Sequence, residues 1–339
     1  MRALSMVPDS AKATHLGGIP RRIILTTVGA FAKLYATVLN STQVYNKDML
    51  MSLVMSRSPG TPLVTVSNHM STLDDPMMWG FQGFPISDPK LCRWTLAASD
   101  ICFTNPFYSY FFRLGKCIPI TRGEGIYQPH MSEALNRINE GDWIHTFPEG
   151  KVCQEPSPLR RLKWGTASLI ARAAVSPIVL PIAHSGFEKV LPENYWRGRR
   201  PLVPLWMKHI SIVVGEPIQF DVPGLKRAAH DWARASAGLD DTNSKLFFSM
   251  SDKLVGHGST MNNPHPLPFG IRNSPYCQQA AKTFDSMRSG HQEVSEPVLE
   301  EAAWRWMYTH ITDRIWVALQ DLVWKAKTLN ESRCKEQIH

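Results

Sequence analysis

The 339-residue sequence is short of several features that would announce a function directly. Its cysteines, at 92, 102, 117, 153, 277 and 334, form no Cys-x-x-Cys pair. They are too sparse for a secreted disulfide framework, so zinc-ribbon and thioredoxin-like readings drop out and reduced thiols in an intracellular compartment are expected. No His-x-x-x-His or clustered Cys and His spacing occurs, so no metal is expected. No Gly-x-Ser-x-Gly elbow is present, and Cys102, Cys117 and Cys153 lie on apolar or loop runs without an activating signature. Internal repeats, helix-turn-helix, finger and aromatic RNA-reading motifs are also missing, and no nucleic-acid partner is expected. The longest apolar run, Ile23 to Leu39, falls short of the roughly 20 residues a bilayer span needs. Lys33 inside it would cost about 2.5–3.5 kcal/mol on insertion scales.

What remains is a basic, core-forming chain. It is 43% hydrophobic and 19% charged, too apolar for disorder, and 37 basic against 29 acidic residues give a net charge of +8, which suits an anionic partner. Short β-branched runs alternate with helical stretches from residue 61 onward. Thr61–Ser67, Arg93–Ala98, Cys117–Thr121, Asp142–Phe147, Pro177–His184 and Lys208–Val214 read as buried strands. His130–Glu140, closed by Gly141, and Lys163–Ala174 read as helices. The expected fold is α/β: a mixed, largely parallel central sheet flanked by helices, with an N-terminal amphipathic helix and a C-terminal helix.

The N-terminal helix repeats Ile24, Val28, Phe31, Tyr35 and Val38 at helical spacing opposite Thr26, Lys33 and Thr37, a face that fits either a lipid interface or the core. From Val298 to Lys327 the stripe Met307, Ile311, Ile315, Leu319 and Leu322, with Trp304, Trp316 and Trp324 near it, favours core packing. The expected divisions are a leader over 1–22, an amphipathic membrane-associating helix over 23–44 and a catalytic domain over 45–222. A partly disordered insertion over 223–297 follows, containing the Gly/Asn/Ser/Pro-rich loop 256–275, and then a C-terminal helix over 298–339.

Chemistry concentrates at the predicted strand exits. In Asn68-His69-Met70-Ser71-Thr72-Leu73-Asp74, a carboxylate five positions after a histidine can accept from one ring nitrogen and raise the basicity of the other. With no enzyme nucleophile in view, His69 could act as general base on a substrate hydroxyl. Phe147-Pro148-Glu149-Gly150-Lys151 puts a carboxylate, a glycine and a lysine at another strand exit. Arg122, after the strand from Cys117, could hold a phosphate or be an ordinary surface arginine. His145, His184 and His209, in or beside predicted strands, read as satisfied core histidines. The groups Arg160-Arg161-Lys163 and Arg197-Arg199-Arg200 fit either anionic headgroups or a solvated basic face.

Four blocks in order, Asn68–Asp74, Cys117–Arg122, Phe147–Gly150 and Ile178–Ile182 (IVLPI), resemble the glycerolipid acyltransferase superfamily. NHMSTLDDPMMWG (68–80), AASDICF (97–103), GKCIPITRGEGIYQ (115–128), GDWIHTFPEGKV (141–152) and LKWGTASLIA (162–171) resemble its tafazzin branch most closely. The resemblance implies acyl transfer from a phospholipid to a lysophospholipid without acyl-CoA or another cofactor, of the cardiolipin-remodelling type. It also implies His69 and Asp74 as the catalytic pair. Asn68 joins the substrate-binding set, with Arg122 and Lys151 on lipid phosphate and Glu149 and Gly150 in the acceptor block. Superfamily members using acyl-CoA often continue Phe-Pro-Glu-Gly with Thr-Arg, where this chain has Lys151-Val152. The implied setting is an anionic membrane surface, mitochondrial and peripheral or monotopic, with endoplasmic reticulum the alternative. Two other readings remain: an acyl-CoA-dependent lysophospholipid acyltransferase, including one that acylates the amine of phosphatidylethanolamine, and a non-catalytic lipid-binding scaffold.

Overall fold

Residues 15–86, 88–154, 158–237 and 295–336 are described by the structure, a computed structural model. Continuous apolar runs too short for helices become strands covered on both faces: β2 (Leu63–Ser67), β3 (Trp94–Ala98), β4 (Cys117–Ile120), β5 (Trp143–Thr146), β6 (Ile178–Ser185) and β7 (His209–Val214). All six match sequence expectations. A seventh strand, β1 (Ser41–Tyr45, STQVY), carries no apolar run. It is made by parallel pairing with β7, Ser41 against His209, at the sheet edge.

The sheet order is β1-β7-β6-β2-β5-β3-β4. β6 and β7 pair antiparallel, while the other neighbours are parallel, so the sheet is mixed and largely parallel as expected. Because β2 to β6 all point one way, the segments that follow them emerge along one edge of the sheet. The segments entering β7 and β1 reach the same edge, because those two strands run the other way.

One sheet face buries Leu63, Trp143, Leu180, Ile182, Ile210 and Ile212 beneath the helix Lys47–Met55 and the aromatic run Trp79, Phe81 and Phe84. On the other face, Ala183 and Val213 meet Ala326 of the C-terminal helix, and the hydroxyls of Thr146 and Thr166 pair at 2.9 Å. Helices form at Pro129–Asn139 and Gly165–Arg172, close to where periodicity placed them, and Gly141 after the first takes φ +81.

The N-terminal helix divides its apolar residues between core and surface. It runs from Ile19 to Lys33 and continues as a π-helical turn through Leu34–Leu39. It buries Leu25, Ala32, Tyr35 and Ala36, whereas Phe31 and Val38, read as part of a face for either lipid or core, are exposed together with Leu16, Ile19, Ile23 and Leu34. The helix approaches the domain closely. A Cβ on Gly80 would sit 2.2 Å from the Ala32 carbonyl oxygen, and one on Gly29 2.6 Å from Cβ of Ile86, so glycine is required at these two contacts between helix and domain. By length and composition this helix could cross a membrane, and it is mostly unburied.

The described residues fall into two compact units, one comprising the chain up to Gln219 together with the part from Ile315, the other running from Phe220 to Arg314. In the second unit a helix over Val222–Ser236 occupies ground read as insertion. Asp221 caps it by accepting from the Gly224 amide at 3.0 Å, and Leu225, Ala229 and Ala233 form its buried stripe. Trp232 stacks near Trp306 in the same unit. The C-terminal helix spans Glu296–Glu336 and buries Met307, Ile311, Ile315 and Leu319, the core stripe expected of it. The 256–275 loop and most of the 1–22 leader lie outside the described residues.

Gly80→Ala is expected to push the N-terminal helix off its seat and cost about 1–3 kcal/mol by overpacking. Urea unfolding of purified protein should show a lower midpoint at unchanged slope.

Candidate active site

β2 ends at Ser67, and the chain turns through Asn68 and His69 before the short helix Asp74–Met77. The turn is fixed by one carboxylate oxygen. Asp74 Oδ2 accepts from the amides of Met70 at 2.7 Å and Ser71 at 2.8 Å, and lies 2.9 Å from Nδ1 of His69. A carboxylate here can only accept, so neutral His69 carries its proton on Nδ1 and keeps the Nε2 lone pair. Asp74 is fully buried, while the His69 side chain is 19% exposed. Asp75, its neighbour in sequence, is occupied elsewhere by Arg93 and by the Trp79 indole at 2.6 Å.

β5 lies beside β2, so the Phe147-to-Gly150 turn lands on the same histidine. Phe147 stacks on the His69 ring at 4.1 Å between centroids and 19° between planes. Glu149 Oε1 accepts from the His69 amide at 2.8 Å, and the His69 carbonyl accepts from the Cys153 amide at 2.7 Å. Burial pushes the Glu149 carboxyl up to about 7, against the opposing pull of the His69 amide bond. Gly150 has φ +72, and a Cβ there would meet Cδ and Cε of Lys163 at 2.9 Å, so glycine permits both the turn and the close lysine.

The other expected site residues are placed differently. Asn68 is buried, its carboxamide donating to the His184 carbonyl and accepting from the His184 amide, each at 3.0 Å, so its polar atoms pin the turn to β6. Lys151 is exposed just beyond the glycine turn. Arg122 is 44% exposed, with a loose 3.5 Å ion pair to Asp100. It follows β4, three strand spacings from β2, or about 14 Å at the usual interstrand distance. The sheet thus brings together His69, Asp74, Asn68, Glu149 and Gly150 and leaves Arg122 outlying on the same edge.

Two histidines expected in the core separate in character. His145 is buried with Nδ1 2.8 Å from the Thr65 hydroxyl, and desolvation lowers its pKa to about 3, so it stays neutral. His184 is fully buried behind the site, with Nε2 2.9 Å from the Asn68 carbonyl and 3.6 Å from Asp74 Oδ2. The carbonyl must receive the proton, which leaves Nδ1 of His184, like Asp74 Oδ1, without a hydrogen-bond partner among the described residues. His184 was legible in the sequence only as a core histidine, and no motif pointed to Gln154, which donates to the carbonyls of Met70 at 2.8 Å and Leu191 at 3.0 Å. A cavity of about 170 Å³ adjoins Asn68, Met70 and Glu149, with Arg160, Lys189 and Lys327 in its walls.

A parallel sheet that presents a buried-aspartate, half-open-histidine pair at a strand exit has the frame of an enzyme that activates a substrate nucleophile for acyl transfer. Residues 41–185 match the acyltransferase family. An N-acylphosphatidylethanolamine synthase of Arabidopsis thaliana is 64% identical over 270 residues, covering 74% of this chain and 95% of the relative. A tafazzin of Drosophila melanogaster is 41% identical over 202 residues, 59% of this chain and 52% of the relative. One of Dictyostelium discoideum is 43% identical over 204 residues, 58% of this chain and 69% of the relative. The chain belongs to the acyltransferase family within the glycerolipid acyltransferase superfamily and is an enzyme that acylates lipids.

Asp74→Asn is expected to lower kcat by about 10³–10⁴-fold, through the wrong tautomer of His69, while circular dichroism stays unchanged. Folded Glu149 holds its proton more tightly than an ordinary glutamate, whose pKa is 4.5. Its contribution to stability therefore declines as pH rises from about 4.5 to about 7 and is level above that. Glu149→Gln should remove this slope from a pH series of urea midpoints.

Proposed function

We propose that the protein transfers a fatty acyl chain to a nucleophile on a membrane glycerophospholipid, with the ethanolamine amine of phosphatidylethanolamine as acceptor. The His69–Asp74 pair carries the reading of the chemistry. The 64% identity over nearly the whole length of an N-acylphosphatidylethanolamine synthase supports the acceptor. His69 Nε2 takes a proton from the acceptor as its nitrogen attacks the donor ester carbonyl. Asp74 stabilises the imidazolium. When the tetrahedral intermediate collapses, the C–O bond to the donor breaks and the departing alkoxide takes the proton from Nε2. The products are an amide and a lysophospholipid, and no acyl-enzyme forms.

The tafazzin relatives support a second acceptor for the same machinery, the free hydroxyl of a lysophospholipid, as in remodelling of cardiolipin type. Glu149 then organises the acceptor turn, with Asn68 pinning it and Gly150 allowing close approach. Arg122 and Lys151 hold lipid phosphate at the rim. The donor proposed is a phospholipid ester, because Lys151-Val152 stands where acyl-CoA users often have Thr-Arg. The setting is a membrane surface, with mitochondria the compartment suggested by the tafazzin likeness and subcellular fractionation the check on it.

The deciding assay offers purified protein labelled phosphatidylcholine or acyl-CoA as sole donor, with phosphatidylethanolamine or monolysocardiolipin as acceptor. The expected result is labelled N-acylphosphatidylethanolamine from phosphatidylcholine, lost in His69→Ala. Label only in cardiolipin moves the enzyme to the second acceptor, and dependence on acyl-CoA overturns the donor. Activity that survives His69→Ala overturns the mechanism.

A further inference from the structure

The segment between β6 and β7 presents large side chains that the fold does not use. Tyr195, Trp196, Leu202, Val203, Trp206 and Met207 are all exposed, Leu202 completely so. Isolated exposed apolar residues need no explanation, whereas six on one connecting segment do. The segment is also built rather than loose. Trp196 and Arg199 pair across a two-residue turn in which Arg197 (φ +51) and Gly198 (φ +72) both adopt left-handed backbone, the geometry of a tight hairpin. The Arg197 guanidinium lies over the Trp196 ring at 4.9 Å. Arg200 is paired with Glu193 at 2.6 Å, so Arg197 and Arg199 supply the net positive charge of the hairpin.

This segment is fastened to the N-terminal helix. The Tyr35 hydroxyl donates to the Pro204 carbonyl at 2.7 Å, the Met207 amide to the Leu39 carbonyl at 2.7 Å, and the Lys208 amide to Asn40 Oδ1 at 2.9 Å. Leu34 and Val38, on the same stretch of helix as these bonds, are exposed as well. At the helix start, His15 Nε2 lies 3.0 Å from the Tyr110 hydroxyl in the helix Pro106–Leu114, where Phe107 and Tyr108 are also exposed. The ends of the N-terminal segment thus reach opposite sides of the sheet, and at 1.5 Å per residue the 21 helical residues from Ile19 to Leu39 cover about 31 Å. Both junctions involve segments that emerge along the edge carrying His69 and Glu149.

We propose that the Tyr195–Met207 segment is a second lipid-docking element, acting with the exposed face of the N-terminal helix to seat the catalytic edge on an anionic bilayer surface. The inference rests on the proposed lipid-bilayer setting. Tryptophan and tyrosine settle at the boundary between headgroups and acyl chains, and arginine keeps its stem in the apolar layer while its head meets phosphate. That combination fits an anionic lipid interface better than a protein partner or a second copy. The helix lies in the membrane plane, since Ala32 against Gly80 and Tyr35 against Pro204 hold it to the domain.

The test uses full-length protein and phosphatidylcholine vesicles with or without phosphatidylglycerol, some carrying brominated acyl chains. Bromolipid is expected to quench tryptophan fluorescence, and Trp196→Phe with Trp206→Phe to remove part of that quenching. Arg197→Gln with Arg199→Gln should weaken partition into phosphatidylglycerol vesicles about 30-fold, at about 1 kcal/mol per arginine, and leave phosphatidylcholine partition unchanged. Leu202→Asp, at a side chain that touches nothing, should lower vesicle binding without changing thermal stability. On short-chain phospholipids below their micellar concentration, these variants should match wild-type turnover. Wild-type protein that binds vesicles but turns over no lipid would count against the proposed reaction alone. Unaltered vesicle binding by the segment variants, or a vesicle-free dimer that Leu202→Asp dissolves, would overturn the docking role.

Discussion

Asp74 Oδ2 is the atom on which the site depends. One buried oxygen receives the amides of Met70 and Ser71 and faces the imidazole of His69. The two amides need an acceptor, because the turn out of β2 leaves them without strand partners. The same oxygen therefore shapes the turn and selects the tautomer, and the chemistry of His69 cannot be separated from the local fold. Spacing follows from this: with the aspartate five positions after the histidine, the carboxylate returns over the turn it closes.

Neighbouring strands complete the arrangement. The backbone of His69 is held on both sides by the turn after β5, through Glu149 at its amide and Cys153 at its carbonyl, and Phe147 covers one face of the ring. Asn68 ties the turn to β6 through the backbone of His184. Three adjacent parallel strands thus deliver one histidine with its proton placed and one nitrogen open. Parallel alignment is what allows it, since strands ending on the same edge put their exits side by side.

In the proposed docking, that edge also faces lipid. The N-terminal helix approaches the domain closely at Gly80 and Gly29 and buries Leu25, Ala32, Tyr35 and Ala36, while Ile19, Ile23, Phe31, Leu34 and Val38 stay outward. Packing and exposure here are one decision. An enzyme whose substrates reside in a bilayer gains from an apolar margin beside its catalytic edge, because each substrate then moves only a short way out of the lipid.

Strand positions were legible in the sequence because parallel strands covered on both faces need unbroken apolar runs, and His69, Asp74 and Glu149 were legible because they sit in short local patterns. The edge strand Ser41–Tyr45 was not, since pairing with β7 and not its own composition makes it a strand. The inward face of the N-terminal helix stayed open between lipid and core in the sequence, because hydrophobicity marks what prefers to leave water, whereas the close approach at Gly80 depends on size. His184 was legible only as a core histidine, and the fold alone places it behind Asp74, through pairing of β6 with β2. Sequence thus determined the elements and the local His69–Asp74 pair, whose interactions span a few residues. Tertiary structure decided which distant groups surround that pair and which apolar face stays open, because both depend on strand order and interhelical distance, which no local pattern records.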